Sequence, residues 1–367
     1  MPRHEVAIYM PYASGFYDGA RRRTGGAERQ TVLLARSLVA QGMRVAHIVY
    51  PMREPSTLPG EPTFVVRRPE RYKALGRAVD PPRIWRAMAE ADADVYVFRG
   101  ASGVLGPGAV FCAARGRALI FSGANNSDFR VPPMGMEGVR AAMYLRGVRT
   151  ASAIVVQSHD QVGLAHGMFP RARVEEIPSF VEAGTEATAE GRSFLWAGRL
   201  VDYKRPLDFL ELARALPEAR FVMVGVWSIG ETVDGYVEDL QRRAAALGNV
   251  EVLSAVPHAQ LMAMVEHAVA IVNTSQTEGM PNVWLEGWAR GVPALSLEFD
   301  PDGRVARNRL GIAAGGDWEA FVAGARELWA RRADRGGYGE GVRRYVTDVH
   351  GSVAVGQAWA RLLREAP

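Results

Sequence analysis

Residues 194–224 read FLWAGRLVDYKRPLDFLELARALPEARFVMV. Phe194–Ala197 is a short apolar run and predicts a strand; Pro206–Ala215 predicts a helix, and Phe221–Val224 a second strand. The alternation continues through a helix over 237–247, a strand at Val250–Leu253, a helix over Ala259–His267 and a strand at Val269–Asn273. A helix over Asn282–Arg290 and a strand at Pro293–Leu297 close the series. Continuous apolar strands separated by helices mean a parallel sheet covered on both faces.

The first half repeats the pattern. Val6–Tyr9, Arg44–Tyr50, Thr63–Val66, Asp94–Phe98, Ala118–Phe121 and Ala153–Gln157 read as strands. Between the first two, Ala27–Gln41 places Thr31, Leu34, Ala35 and Leu38 on one helical face, with Gly42 as the stop. A polar stretch over 181–191 marks the boundary. The expected architecture is α/β, with two Rossmann-like domains, 1–180 and 181–349, facing a central cleft. From about Asp317 the tail reads as helical, with Trp318, Phe321, Leu328, Trp329, Trp359 and Leu362 as packing residues. The helix over about 350–367 is expected to return to the first domain.

Among 367 residues, 48% hydrophobic and 23% charged is the balance of an ordinary globular protein. One cysteine, Cys112, excludes an intramolecular disulfide and a cysteine metal cluster and fits a reducing cytoplasm. No stretch approaches the roughly 18 apolar residues of a membrane helix. The expected location is the cytoplasm, with the inner face of the membrane as a peripheral site. Charge is uneven: residues 1–180 carry 24 Arg and Lys against 15 Asp and Glu, the remainder 20 against 25. The basic half points to an anionic partner. Only Lys73 and Lys204 are lysines, so a lysine on a chemically placed loop stands out.

Three segments carry chemistry. Thr277-Glu278-Gly279-Met280-Pro281-Asn282-Val283-Trp284-Leu285-Glu286 sets two carboxylates eight apart around a helix start at Pro281 and Asn282. Amides at that start suit an anion, and a carboxylate beside them suits sugar hydroxyls. Alone, the segment is equally a surface carboxylate and a helix charge favoured by the dipole. Trp196-Ala197-Gly198-Arg199-Leu200, followed by Lys204, ends a strand and precedes a helix, where parallel sheets bind ligands. Arg199 as a fork and Lys204 as a point charge suit a diphosphate, or are two solvated cations. Thr24-Gly25-Gly26-Ala27-Glu28 opens the first long helix; its glycines admit a close ligand, or it is a plain junction. It lacks the spaced third glycine of the dinucleotide fingerprint.

Together, in order and spacing, these segments resemble the GT-B glycosyltransferases of retaining family 4. The resemblance runs along nearly the whole chain and is most specific over 194–297. It implies a GT-B fold with an acceptor domain first and a donor domain second. It further implies transfer of a sugar from a nucleoside-diphosphate sugar, UDP- or GDP-linked. Gly25 and Gly26 would approach the diphosphate while Arg199 and Lys204 neutralise it. Glu278, with Gly279, Met280, Pro281 and Asn282, would hold sugar and phosphate, Glu286 the ribose, and Val256 and His258 the base.

One position departs from the family. Where it has a histidine after the fifth strand, this chain reads Phe121-Ser122-Gly123-Ala124-Asn125-Asn126-Ser127-Asp128. Ser122 takes the histidine position, and Asn125, Asn126 and Asp128 follow on the acceptor side. Family chemistry needs no protein nucleophile, because the departing phosphate can take the acceptor proton. A sugar-nucleotide epimerase or hydrolase, and a donor-binding partner subunit without catalysis, are the competing classes.

No metal or cofactor is expected. The seven histidines show no ligand spacing, and Asp300-Pro301-Asp302-Gly303 has turn residues rather than a metal motif. Asp92-Ala93-Asp94 reads as a solvated helix end. Arg21-Arg22-Arg23 suits an anionic acceptor, such as a lipid-linked or phosphorylated glycan or small molecule, or a membrane surface. Without interleaved aromatics it does not suggest nucleic acid.

Overall fold

The structure, a computed structural model, describes residues 3–18, 25–67, 80–131, 136–184, 190–226, 235–254 and 256–366. The chain divides into two compact units: Met1–Phe180 with Ser352–Pro367, and Val181–Gly351. Arg21, Arg22 and Arg23 lie outside the described residues.

Unit 1 runs β1 (His4–Tyr9), α1 (Ser14–Tyr17), α2 (Gly26–Ala40), β2 (Val45–Val49), β3 (Thr63–Val66), α3 (Pro81–Ala91) and β4 (Ala93–Arg99). It continues through α4 (Leu105–Arg115), β5 (Ala118–Ser122), α5 (Gly138–Arg149), β6 (Ala153–Val156), α6 (His159–Met168) and β7 (Val174–Glu176). Unit 2 runs β8 (Ser193–Arg199), α7 (Pro206–Ala215), β9 (Phe221–Val226), α8 (Tyr236–Leu247), β10 (Val250–Leu253) and α9 (His258–Glu266). Then follow β11 (Ala268–Asn273), α10 (Asn282–Trp288), β12 (Ala294–Ser296), α11 (Arg304–Arg307), β13 (Gly311–Ala313), α12 (Trp318–Ala330) and α13 (Gly339–His350). The last helix, α14 (Ser352–Glu365), belongs to unit 1.

Both sheets are parallel, in the orders β3-β2-β1-β4-β5-β6-β7 and β10-β9-β8-β11-β12-β13. Each order reverses once, between β1 and β4 in unit 1 and between β8 and β11 in unit 2. Loops leaving the carboxyl ends of strands at such a reversal diverge and leave room for a ligand. The apolar runs follow from the covering helices: all six residues of β11 and all five of β2 are buried. Burying one large apolar side chain contributes about 1.5–3 kcal/mol, so these strands are strongly placed.

Helix α14 shows how the tail is fixed. Val355, Trp359, Leu362 and Leu363 enter a core with Leu34 and Leu38 of α2. Gly356 permits the contact, since a Cβ there would lie 2.0 Å from Ser37 Oγ. Trp318, expected to pack, is 37% exposed and covers Phe321 at the helix surface instead. No helix among the described residues is long and apolar enough to cross a membrane.

Candidate functional site

The loops after β8 and β11 meet at the reversal point of unit 2. After β8 the backbone passes through a turn at Asp202–Lys204 and a left-handed Arg205 before Pro206 starts α7. The segment after β11 is stitched to this turn. Thr274 Oγ1 donates to the Lys204 carbonyl at 2.7 Å, and the Gln276 amide donates to the Tyr203 carbonyl at 2.9 Å. Trp196 Nε1 donates to Thr274 Oγ1 at 3.1 Å and so ties the strand to the same hydroxyl.

That stitching brings Lys204 and Glu278 into a direct ion pair, with side chains 16% and 10% exposed. Ser275 Oγ donates to the same Glu278 oxygen at 2.8 Å, and Asn273 Nδ2 approaches it at 3.5 Å. Asn273 Oδ1 accepts the Ser275 amide at 2.8 Å, so the cluster is cross-braced. A largely buried charge pair costs desolvation that only good geometry and extra hydrogen bonds offset. Here those bonds come from the loop itself. Lys204 has three N–H donors, and pairing with one carboxylate oxygen leaves capacity for a second anion. Arg199 is exposed, donates to Tyr203 Oη and stacks over its ring 5.8 Å from the centroid. Lys204 Nζ lies 5.7 Å from the same ring, so Tyr203 sits beside both cations.

Gly279, Met280 and Pro281 are buried and lead into α10, whose first turn is closed by the Trp284 amide on the Pro281 carbonyl at 3.1 Å. Trp284 and Trp288, both 0% exposed, anchor the helix. Gly287 lets it lie on β11, because a Cβ there would meet Ile271 at 2.8 Å. With its register fixed, α10 brings Glu286, 6% exposed, to His258 at the start of α9. His258 Nε2 and Glu286 Oε1 are 2.8 Å apart. Asn282 and Val256 are partly buried nearby in sequence to these two. Sequence reasoning missed Asn273, Ser275 and Tyr203; the polar ending of an apolar strand, Asn273-Thr274-Ser275, was the available signal.

In unit 1, Gly25 is the extended residue before α2 and Gly26 its first residue, both exposed. Ser122 ends β5, is 1% exposed, and accepts a hydrogen bond from Arg99 Nη1 at 2.8 Å. Asn125 caps the next turn through the Ser127 amide at 2.9 Å, and Asn126 Oδ1 accepts from Gln161 Nε2 at 2.9 Å. Asp128, 6% exposed, accepts the Ala124 amide at 2.7 Å and the Asn125 amide at 3.2 Å. Burial pushes its carboxyl above the usual range, against those bonds.

The Asp300–Gly303 segment forms a turn. Asp300 Oδ1 accepts the Val305 amide at 2.8 Å, and Asp302 pairs with Arg304 at 2.6 Å. Among the described residues, no three His, Cys, Asp or Glu side chains are grouped to hold a metal ion.

Residues 183–343, within unit 2, match the family model described as Glycosyl transferases group 1. No curated protein matches the chain. Among solved structures it is similar to Anabaena HepE in complex with UDP and glucose, at 16% identity and TM-score 0.74, over 99% of this chain and 100% of that one. It is similar to sucrose-phosphate synthase from Thermosynechococcus elongatus at 15% identity and TM-score 0.77, over 99% of each chain. The N-terminal domain of Candida albicans trehalose-6-phosphate phosphatase aligns at 13% identity and TM-score 0.72, over 99% of this chain and 97% of that one. At such identities the likeness is one of fold, and the fold is GT-B: two Rossmann-like parallel α/β sheets with interleaved helices.

Proposed function

We propose that the chain is a retaining, family 4 type glycosyltransferase acting in the cytoplasm. It moves a sugar from a nucleoside-diphosphate sugar to an acceptor in glycan or glycoconjugate assembly. The observation that carries this is the Lys204–Glu278 pair at the strand-order reversal of a unit matched to glycosyl transferases group 1. The UDP and glucose carried by the Anabaena relative support a UDP-linked donor, with GDP as the other base to test.

In this reading, unit 2 holds the donor. Arg199 and the remaining N–H groups of Lys204 neutralise the diphosphate as it departs. Glu278 and the amides of Gly279, Met280 and Asn282 hold sugar and phosphate oxygens, with Pro281 fixing their course. Glu286 holds the ribose, with Val256 and His258 beside the base. The bond from the anomeric carbon to the phosphate oxygen breaks and one to the acceptor oxygen forms. The acceptor proton passes to the departing diphosphate. Catalysis is then mainly positioning and charge stabilisation, which needs neither a protein nucleophile nor a metal.

Unit 1 takes the acceptor, near Ser122, Asn125, Asn126 and Asp128. The basic half of the sequence, with Arg21, Arg22 and Arg23, favours a phosphorylated, carboxylated or membrane-embedded acceptor. The test is incubation with UDP- and GDP-linked sugars and a panel of anionic acceptors, followed by NMR of the product. The reading predicts that the anomeric configuration of the donor is kept. Inversion would remove the retaining assignment, and binding without turnover would reduce the chain to a donor-binding subunit.

A further inference from the structure

Arg99 ends β4 at the strand-order reversal of unit 1, beside Ser122 at the end of β5, with which it is in register. A guanidinium has five N–H donors. Among the described residues Arg99 uses one, on the neutral hydroxyl of Ser122 at 2.8 Å. Its Nε is closed off from solvent and has no partner. Burial lowers the group to about 10, so it stays charged at neutral pH although partly desolvated. Asp128 and Glu28 are near enough to favour the charge, but neither bonds to it. Asp128 is already occupied by the amides of Ala124, Asn125 and Ala101.

Arg335, a buried arginine of unit 2, is built differently. Its Nε donates to the Ala268 carbonyl at 3.2 Å and its Nη2 to the Glu266 carbonyl at 2.6 Å. That is the pattern of a structural arginine, whose donors are capped by the fold. Arg99 carries the desolvation cost without the caps, at the position where a parallel sheet receives a ligand. The adjoining cavity, lined by Gln30, Ser122, Gln157 and Ser179, has a volume of about 10 Å³ and admits no more than one water. Arg99 as a residue is partly exposed, so a larger group must approach it from outside that cavity.

We propose that Arg99 is an oxyanion-binding residue of unit 1, taking a phosphate or carboxylate group of the acceptor. Assigning that group to the acceptor rests on the glycosyltransferase reading; the oxyanion site itself does not. The competing source is the donor diphosphate, and the test separates the two. Inorganic phosphate is titrated into the full chain in the presence of saturating UDP and followed by ³¹P NMR, while UDP affinity is measured by calorimetry.

Wild type is expected to bind phosphate saturably. Arg99→Gln should weaken phosphate at least tenfold, leave UDP within twofold and keep Tm at or above wild type; Arg99→Lys should retain part of the phosphate affinity. Unchanged phosphate binding in Arg99→Gln, or none in wild type, would overturn the site. A tenfold loss of UDP affinity in Arg99→Gln would give Arg99 to the donor instead. Loss of phosphate binding with a Tm lowered by several degrees would make Arg99 structural. If wild type fails to bind UDP, the donor reading fails; the phosphate titration, repeated without UDP, still decides on Arg99.

Discussion

Lys204 and Glu278, 74 residues apart in sequence, are joined by a direct ion pair that bridges the loops leaving two adjacent parallel strands. In the proposed function the pair has two roles, holding the loops together and presenting charge where a ligand enters. The two roles separate by measurement.

Breaking the pair from one side leaves a largely buried charge. Lys204→Met is expected to cost about 3 kcal/mol of stability, the low end for a buried pair, because Ser275 still serves Glu278. Glu278→Gln should cost less. In urea unfolding of both single variants and the double variant, the coupling energy should be about 1–3 kcal/mol. Strict additivity would mean that the two side chains do not support each other.

Glu286 reaches His258 at 2.8 Å, and both are assigned to the nucleoside. Losing a hydrogen bond to a charged group costs about 1.5–3 kcal/mol. Glu286→Ala should thus weaken UDP by at least about tenfold, whereas His258, on the exposed side of the pair, should matter less than threefold when replaced by Ala. Equal losses by calorimetry would place the nucleoside on His258 instead.

Stability of unit 1 should depend on His47. The residue is 0% exposed on β2, its Nδ1 is 2.8 Å from Tyr17 Oη, and burial holds the ring down to about 3. Unfolded, it takes a proton near pH 6.5, so below that the unfolded chain binds more protons and gains. The contribution is fully present above about pH 6.5 and falls by about 1.4 kcal/mol per unit as pH drops toward 3. Between pH 7.5 and 5.0, wild type should lose about 2 kcal/mol more than His47→Gln in urea unfolding. Parallel losses would show that His47 does not drive acid unfolding.

Much of the fold was legible in the sequence because apolar runs in a parallel sheet are continuous, and the proposed site residues lie on the loops that follow those runs. Pro206–Ala215 and Val250–Leu253 fall where the pattern placed them. Strands β7 and β13 were not anticipated: each is a three-residue edge piece, and Val174-Glu175-Glu176 is mostly polar. Trp318 misled because size suggests burial, yet it sits at the start of α12 on the solvent side. Arg99 was invisible for another reason. An arginine ending a strand looks like a solvated charge until its neighbours show that solvent does not reach Nε.

In the proposed reaction, charge neutralisation by Arg199 and Lys204 leaves no step for a metal. Asp300 is committed to the amides of Val305 and Ala306, at 2.8 and 3.3 Å, and Asp302 to Arg304. Transfer is expected to proceed undiminished in EDTA. Loss of activity restored by Mn²⁺ or Mg²⁺ would contradict this and return Asp300 and Asp302 to consideration as ligands.

The most direct test of the account is release of nucleoside diphosphate from a mixture of UDP- and GDP-linked sugars by wild type, Lys204→Ala and Glu278→Ala. Loss of one group that stabilises developing charge lowers turnover by about 10²-fold or more. The account predicts saturable release by wild type with at least one donor and a fall of that order in Lys204→Ala. Release within threefold of wild type in both variants, or no release or binding of any nucleotide sugar by wild type, would contradict it.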